Sequence, residues 1–192
     1  MPQLPLEQLA DALESTGRLI AGIRAEQWDE PTPCEDWSVR DLVEHLITGN
    51  DLFARALLAG SSSAATDPDR APGQSGGAYR QSTAALLAAF GADGVMERVV
   101  DVPFGSVPGI VALHLRLVEA LAHGWDLARA TGQAPPFDEE IAEQELAFTR
   151  AKLAEIPAGR SPFGPPQPVA DDAPALDRLA ACLGRTVGAS PM

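Results

Sequence analysis

From residue 6 to residue 25 the chain reads LEQLADALESTGRLIAGIRA, and Leu6, Leu9, Leu13, Ile20 and Ile23 recur at helical spacing. A helix with one apolar face must bury it against another element, so this pattern limits the fold to packed layers containing helices. Further helices are expected over about 39–59, 76–92, 108–131 and 138–155, and a short last one over ALDRLAACLGR. Ser38 is placed to cap the second, with Asp41 at its third helical position. Gly132 is placed to end the fourth. One segment departs from the helical pattern: ERVVDVPFGSVPG, residues 97–109, reads as a short strand and turn. Residues 60–75, GSSSAATDPDRAPGQS, read as a mobile loop, and 157–174, PAGRSPFGPPQPVADDAP, as extended chain. Long helices with a single strand-like segment imply an all-α bundle. Its expected domains are a bundle over 1–156 and a tail over 157–192 that ends in a short helix packed on the bundle.

Charge narrows the function. The 192 residues carry a formal net charge of −13, which repels phosphate backbones and anionic membranes; neither nucleic acid nor membrane is an expected partner. No apolar run approaches the ~20 residues that span a bilayer. The start, MPQLPLEQLADALE, lacks the basic and apolar regions of a signal peptide. The two cysteines, Cys34 and Cys182, lie far apart and outside any CxxC, which excludes a zinc ribbon and suits a reduced, cytoplasmic protein.

The chemistry concentrates in EALAHGWDLARATG, residues 119–132. Glu119 and His123 stand four apart, about 40° around a helix, and present oxygen and nitrogen to one point. A zinc-like divalent metal accepts such mixed ligands. A third ligand must come from elsewhere. His114 is nine positions before His123, on the opposite side of the same helix. His45, in DLVEHLITG, sits among Leu42, Val43, Leu46 and Ile47 on a core-facing stripe of the second helix. Facing helices of a bundle can bring His45, Glu119 and His123 together and leave a fourth position open to water or a thiolate. By spacing alone, a hydrogen-bonded core histidine and a satisfied Glu–His pair are the commoner meanings.

Two longer patterns add to this. TPCEDWSVRDLVEHL (32–46) and EALAHGWDLARATG (119–132), with the late SPFGPPQPVADDAPALDRLAACLGR, resemble the mycothiol-dependent maleylpyruvate isomerase N-terminal family, within the DinB/YfiT-like metalloenzymes, and its actinobacterial metal-binding subfamily. The resemblance implies a DinB-like four-helix bundle. It also implies a metal held by a histidine on the second long helix and a Glu-x-x-x-His pair on a later one, which fall on His45, Glu119 and His123. It implies zinc, with nickel and manganese as alternatives, and mycothiol as co-substrate. Members with an additional C-terminal domain differ from this chain, where an extended tail and a short helix are expected instead.

Around these ligands, Trp37 and Trp125 read as walls of a pocket or, more commonly, as packing residues at the bundle end, and Cys34, in acidic PCEDW, as a buried structural residue. Asp126 suits either a hydrogen bond to a ligand or an ion pair with Arg40; Asp41 suits the free ring nitrogen of His45. The acidic fifth helix, with Glu139, Glu140, Glu143 and Glu145, reads as a solvated face. Three functions fit: a thiol-dependent transferase or isomerase joining a small thiol and an electrophile, a metal-dependent hydrolase, and a metal-stabilised binding module. No catalytic residue beyond the ligands is marked. Pairing of two copies is compatible with a bundle, and the sequence marks no face for it.

Overall fold

The computed structural model describes residues 4–34, 36–58, 72–103, 105–156 and 163–188. Most of the expected 60–75 loop and the first part of the 157–174 stretch lie outside the described residues. Helix α1 spans Pro5–Ala21, α2 Val39–Leu57, α3 Pro72–Phe90, α4 Gly109–Thr131, α5 Glu139–Glu155 and α6 Ala175–Cys182. A short turn of 3₁₀ helix, Ala25–Gln27, follows α1. Strands β1, Val99–Val102, and β2, Gly105–Pro108, lie between α3 and α4.

The helix starts and stops follow local chemistry. Ser38 accepts from the Asp41 amide and Asp41 answers with bonds to the Ser38 amide (3.0 Å) and hydroxyl (2.5 Å), a complete capping box. Asp41 thus takes the capping position its spacing from Ser38 assigns, and this engages the carboxylate that the alternative reading gave to His45. Asp138 caps α5 through the amides of Glu140 and Ile141. Gly132 ends α4 in the left-handed conformation.

Helices α1–α4 make the bundle: α1 packs on α4 and α3, and α2 on α3 and α4. Leu9, Leu13, Leu42, Leu46, Leu86, Leu113 and Leu117 are fully buried in its core. Helix α4 is covered on nearly all sides, since α5 and α6 pair with each other and pack on its outer face. The segment expected as one strand and a turn is an antiparallel hairpin, Val99 opposite Pro108 and Val102 opposite Gly105. GSVP offers weak strand propensity alone, and pairing with VVDV supplies what it lacks. Residues 163–174 run without helix or strand, as expected. No described helix is long and apolar enough to cross a membrane.

The acidic fifth helix corrects the sequence reading. Glu139, Glu140 and Glu143 are exposed as expected, and Glu145 is not. Glu139 accepts from the Ala175 amide at 2.7 Å and Glu143 pairs with Arg178, so both hold α6. Glu145 is fully buried, 2.8 Å from His114 Nδ1, and the His114 ring stacks on Phe148. His114 thus belongs to the α4–α5 contact, on the side its helical angle assigns. Trp125 is also packing: it is 1% exposed, donates to Asp177 of α6 at 2.6 Å and lies under Arg129.

Tyr79 of α3, the chain's one tyrosine, is 2% exposed and donates to the Leu13 carbonyl. Burial pushes its phenol up to about 12, against hydrogen bonds to Thr16 and Thr83 and the Arg116 charge. The folded state therefore favours the neutral phenol. Stability is full below pH ~10, the unfolded value, and falls as pH rises through 12, by about 3 kcal/mol. Absorbance at 295 nm should show no tyrosinate until the near-ultraviolet dichroism collapses. A separate step near pH 10 in folded protein would contradict this.

Candidate metal centre

Helix α4 carries Glu119 and His123 one turn apart on the face turned toward α2, and α2 meets it with His45. One ligating atom from each of His45, Glu119 and His123 lies within 4.8 Å of the other two. His45 Nε2 and Glu119 Oε2 are 3.5 Å apart; two ligands held ~2.1 Å from one zinc ion at a tetrahedral angle are separated by about 3.4 Å. The imidazoles of His45 and His123 meet edge to face with centroids 5.0 Å apart. The His45 side chain is 35% exposed, against 15% for Glu119 and 10% for His123, so the group opens to solvent past His45.

Two of the three donors, Glu119 and His123, are prepared for a cation. Burial alone would raise the Glu119 carboxyl, but the Arg116 charge, the His45 hydrogen bond and the two imidazoles outweigh it and hold Glu119 ionised, down to about 2. Arg116, one turn earlier on α4, donates to Glu119 Oε2 at 2.5 Å and is itself fully buried. It also donates to Asn50 Oδ1 at 2.7 Å, and its guanidinium sits over Phe53. A β-carbon on Gly49 would stand 2.5 Å from Arg116 Nη1, so only glycine leaves this seat open. His123 is held neutral mainly by burial, against the Asp126 hydrogen bond and the Glu119 charge. Its Nδ1–H donates to Asp126 Oδ2 at 3.1 Å, which leaves Nε2 as the ligating atom. One ionised carboxylate and two imidazoles at these separations fit a zinc-type divalent ion.

The loop before α2 closes one wall. Thr32 donates to the Trp37 carbonyl at 2.9 Å and accepts from the Cys34 amide at 3.2 Å. Asp36 takes a positive φ of 68° between them. The loop thereby seats the Trp37 ring 4.5 Å from His45 and 5.8 Å from His123. Of the two sequence readings for Trp37, wall and packing, its half-buried ring against both imidazoles fits the wall. Cys34 is half-buried rather than buried, and its sulfur lies within 4.8 Å of donor atoms of His123 and Asp126.

Asp126 resolves its two sequence readings in favour of the ligand. It binds His123 and, on its far side, Arg185, whose Nη2 lies 2.9 Å from Oδ2 and Nε 3.3 Å from Oδ1. Arg40 turns instead to Asp29 at 2.9 Å and to the Trp28 ring. Both arginines of the centre escaped the sequence reading. Arg116 left a signal, a cation in the middle of an apolar helix, three residues before Glu119. Arg185 left none, since 59 residues separate it from its partner.

A helical bundle in which α2 and α4 bring His45, Glu119 and His123 together is the class of protein that the fold and the candidate centre define. The model of the mycothiol maleylpyruvate isomerase N-terminal domain matches residues 9–128, and the chain belongs to that family. An uncharacterized protein of Mycobacterium tuberculosis, matched in strains H37Rv and CDC 1551, is 36% identical over 184 residues, 95% of this chain and 98% of the relative. Crystal structures of the mycothiol-dependent maleylpyruvate isomerase and of a point mutant share the fold, with TM-scores of 0.60 and 0.62 at 18% and 16% identity. Each match covers 74% of this chain and 66% of the isomerase chain.

Proposed function

We propose that His45, Glu119 and His123 hold a divalent metal, zinc before nickel or manganese, and that the chain is a thiol-dependent transferase or isomerase acting on a small electrophile. The observation that carries this reading is the convergence of three ligating groups at an opening bounded by Trp37. When bound, such a metal supplies a Lewis acid that keeps a thiol ionised at neutral pH. The protein's own groups then do the rest. Asp126 fixes the His123 ring, Arg116 keeps Glu119 ionised, and Trp37 shields one side of the opening from water. Family membership favours mycothiol as the thiol, and a cytoplasmic setting follows from a co-substrate of that kind.

The reaction class is addition of the thiol to a conjugated electrophile, with the thiol either retained, giving transfer, or expelled after bond rotation, giving isomerisation. The bundle over 1–156 would carry the chemistry and the tail over 157–192 would support it. The hydrolase reading finds less support, because Asp126, the carboxylate beside His123, is already engaged by Arg185. Zinc-loaded protein should consume a thiol in the presence of a maleyl-type electrophile, and His45→Ala should lose that activity by about 100-fold or more, the range of removing a group that stabilises developing charge. Full activity in His45→Ala would overturn the proposal. Metal-dependent melting with no turnover of any thiol–electrophile pair would instead favour the binding module.

A further inference from the structure

Arg185 lies outside the part of the chain that the family model matches, 9–128, yet it reaches the centre. Three features build its position. Gly184 takes φ +90°, and a β-carbon there would stand 2.9 Å from the backbone of Gly164, so the turn after α6 admits only glycine against this part of the tail. Arg185 Nη1 donates to the Leu183 carbonyl at 3.1 Å, which aims the guanidinium inward. The side chain is 8% exposed and meets Asp126 with two nitrogens on two oxygens. Asp126 in turn is fully buried and holds His123 Nδ1. The tail is thus joined to His123 through a run of hydrogen bonds from Arg185 to Asp126 to His123, with the Gly184 turn setting where Arg185 stands.

We propose that Arg185 is a positioning residue of the metal centre: by clamping Asp126 it fixes the tautomer and orientation of the His123 ring, and the C-terminal tail thereby completes the site. The proposal rests on the reading of His45, Glu119 and His123 as metal ligands. An aspartate free to rotate would hold the imidazole in more than one orientation, and partners behind a ligating histidine typically change metal affinity by 10–100-fold. A bidentate guanidinium fixes the carboxylate plane, which a lysine ammonium does only in part.

Zinc affinity, measured by competition with a chromophoric chelator, tests this in wild type, Arg185→Met, Arg185→Lys, Asp126→Asn and the Arg185→Met/Asp126→Asn pair. Arg185→Met should bind zinc about tenfold more weakly and Arg185→Lys by less, whereas in the Asp126→Asn background Arg185→Met should cost nothing further. In metal-free protein the downfield His123 Nδ1–H proton resonance should be sharp in wild type and lost in Arg185→Met. Where Arg185→Met does not fold, Arg185→Lys carries both comparisons. Wild-type affinity in Arg185→Met, or an equal loss with and without Asp126, would overturn the positioning role. Failure of wild type to bind zinc, with the His123 resonance nonetheless dependent on Arg185, would instead sink the metal reading.

Discussion

Metal content should fall from near one ion per chain to background when either His45 or His123 is replaced by alanine, while His114→Ala keeps full content. Each of the first two removes one of three protein ligands from a centre that has no spare imidazole among the described residues near it. His114 is the internal control: it is a histidine of the same helix, yet its ring is held by Glu145 and Phe148. Inductively coupled plasma mass spectrometry on untagged protein reads the outcome directly. Equal metal in all four proteins would mean that the ion sits elsewhere. No metal in any of them after incubation with zinc, nickel and manganese would leave the His/Glu/His cluster as a packing device.

The second large effect concerns Arg116. Replacing it with methionine removes the counter-ion of a buried carboxylate and leaves Asn50 without one of its partners. Breaking a buried ion pair from one side costs about 3–5 kcal/mol, which for a chain of this length corresponds to roughly 10 °C in Tm. The size should depend on metal. A bound cation supplies the positive charge that Glu119 has lost, so saturating zinc should recover part of the deficit beyond what it adds to wild type. Melting curves of both proteins with zinc and with chelator give the comparison. An equal zinc-induced increment in the two would show that Arg116 and the metal do not share Glu119.

Much of the centre was legible in the sequence because it is built within helices. The turn from Glu119 to His123 and the capping box at Ser38, which sets where α2 begins and hence the height of His45, depend on spacing that any α-helix imposes. The opposed angle of His114 followed in the same way, and its partner Glu145 was misread as solvated because a charged residue's burial depends on what packs over it. Asp41, which spacing offered both to the Ser38 cap and to His45, went to the cap, because a serine hydroxyl and amide three residues back are the nearer claim.

The sequence by itself determined the helices, their caps and the placing of Glu119 and His123 on one helix face, since helical period and terminal hydrogen bonding are local and repeat every turn. Only the tertiary structure decided which charges the interior keeps. Arg116 and Arg185 reach buried carboxylates, Glu143 and Glu139 hold α6, and Trp37 closes a wall, because the energy of a buried charge or ring depends on groups brought near it by packing and not on its neighbours in the chain.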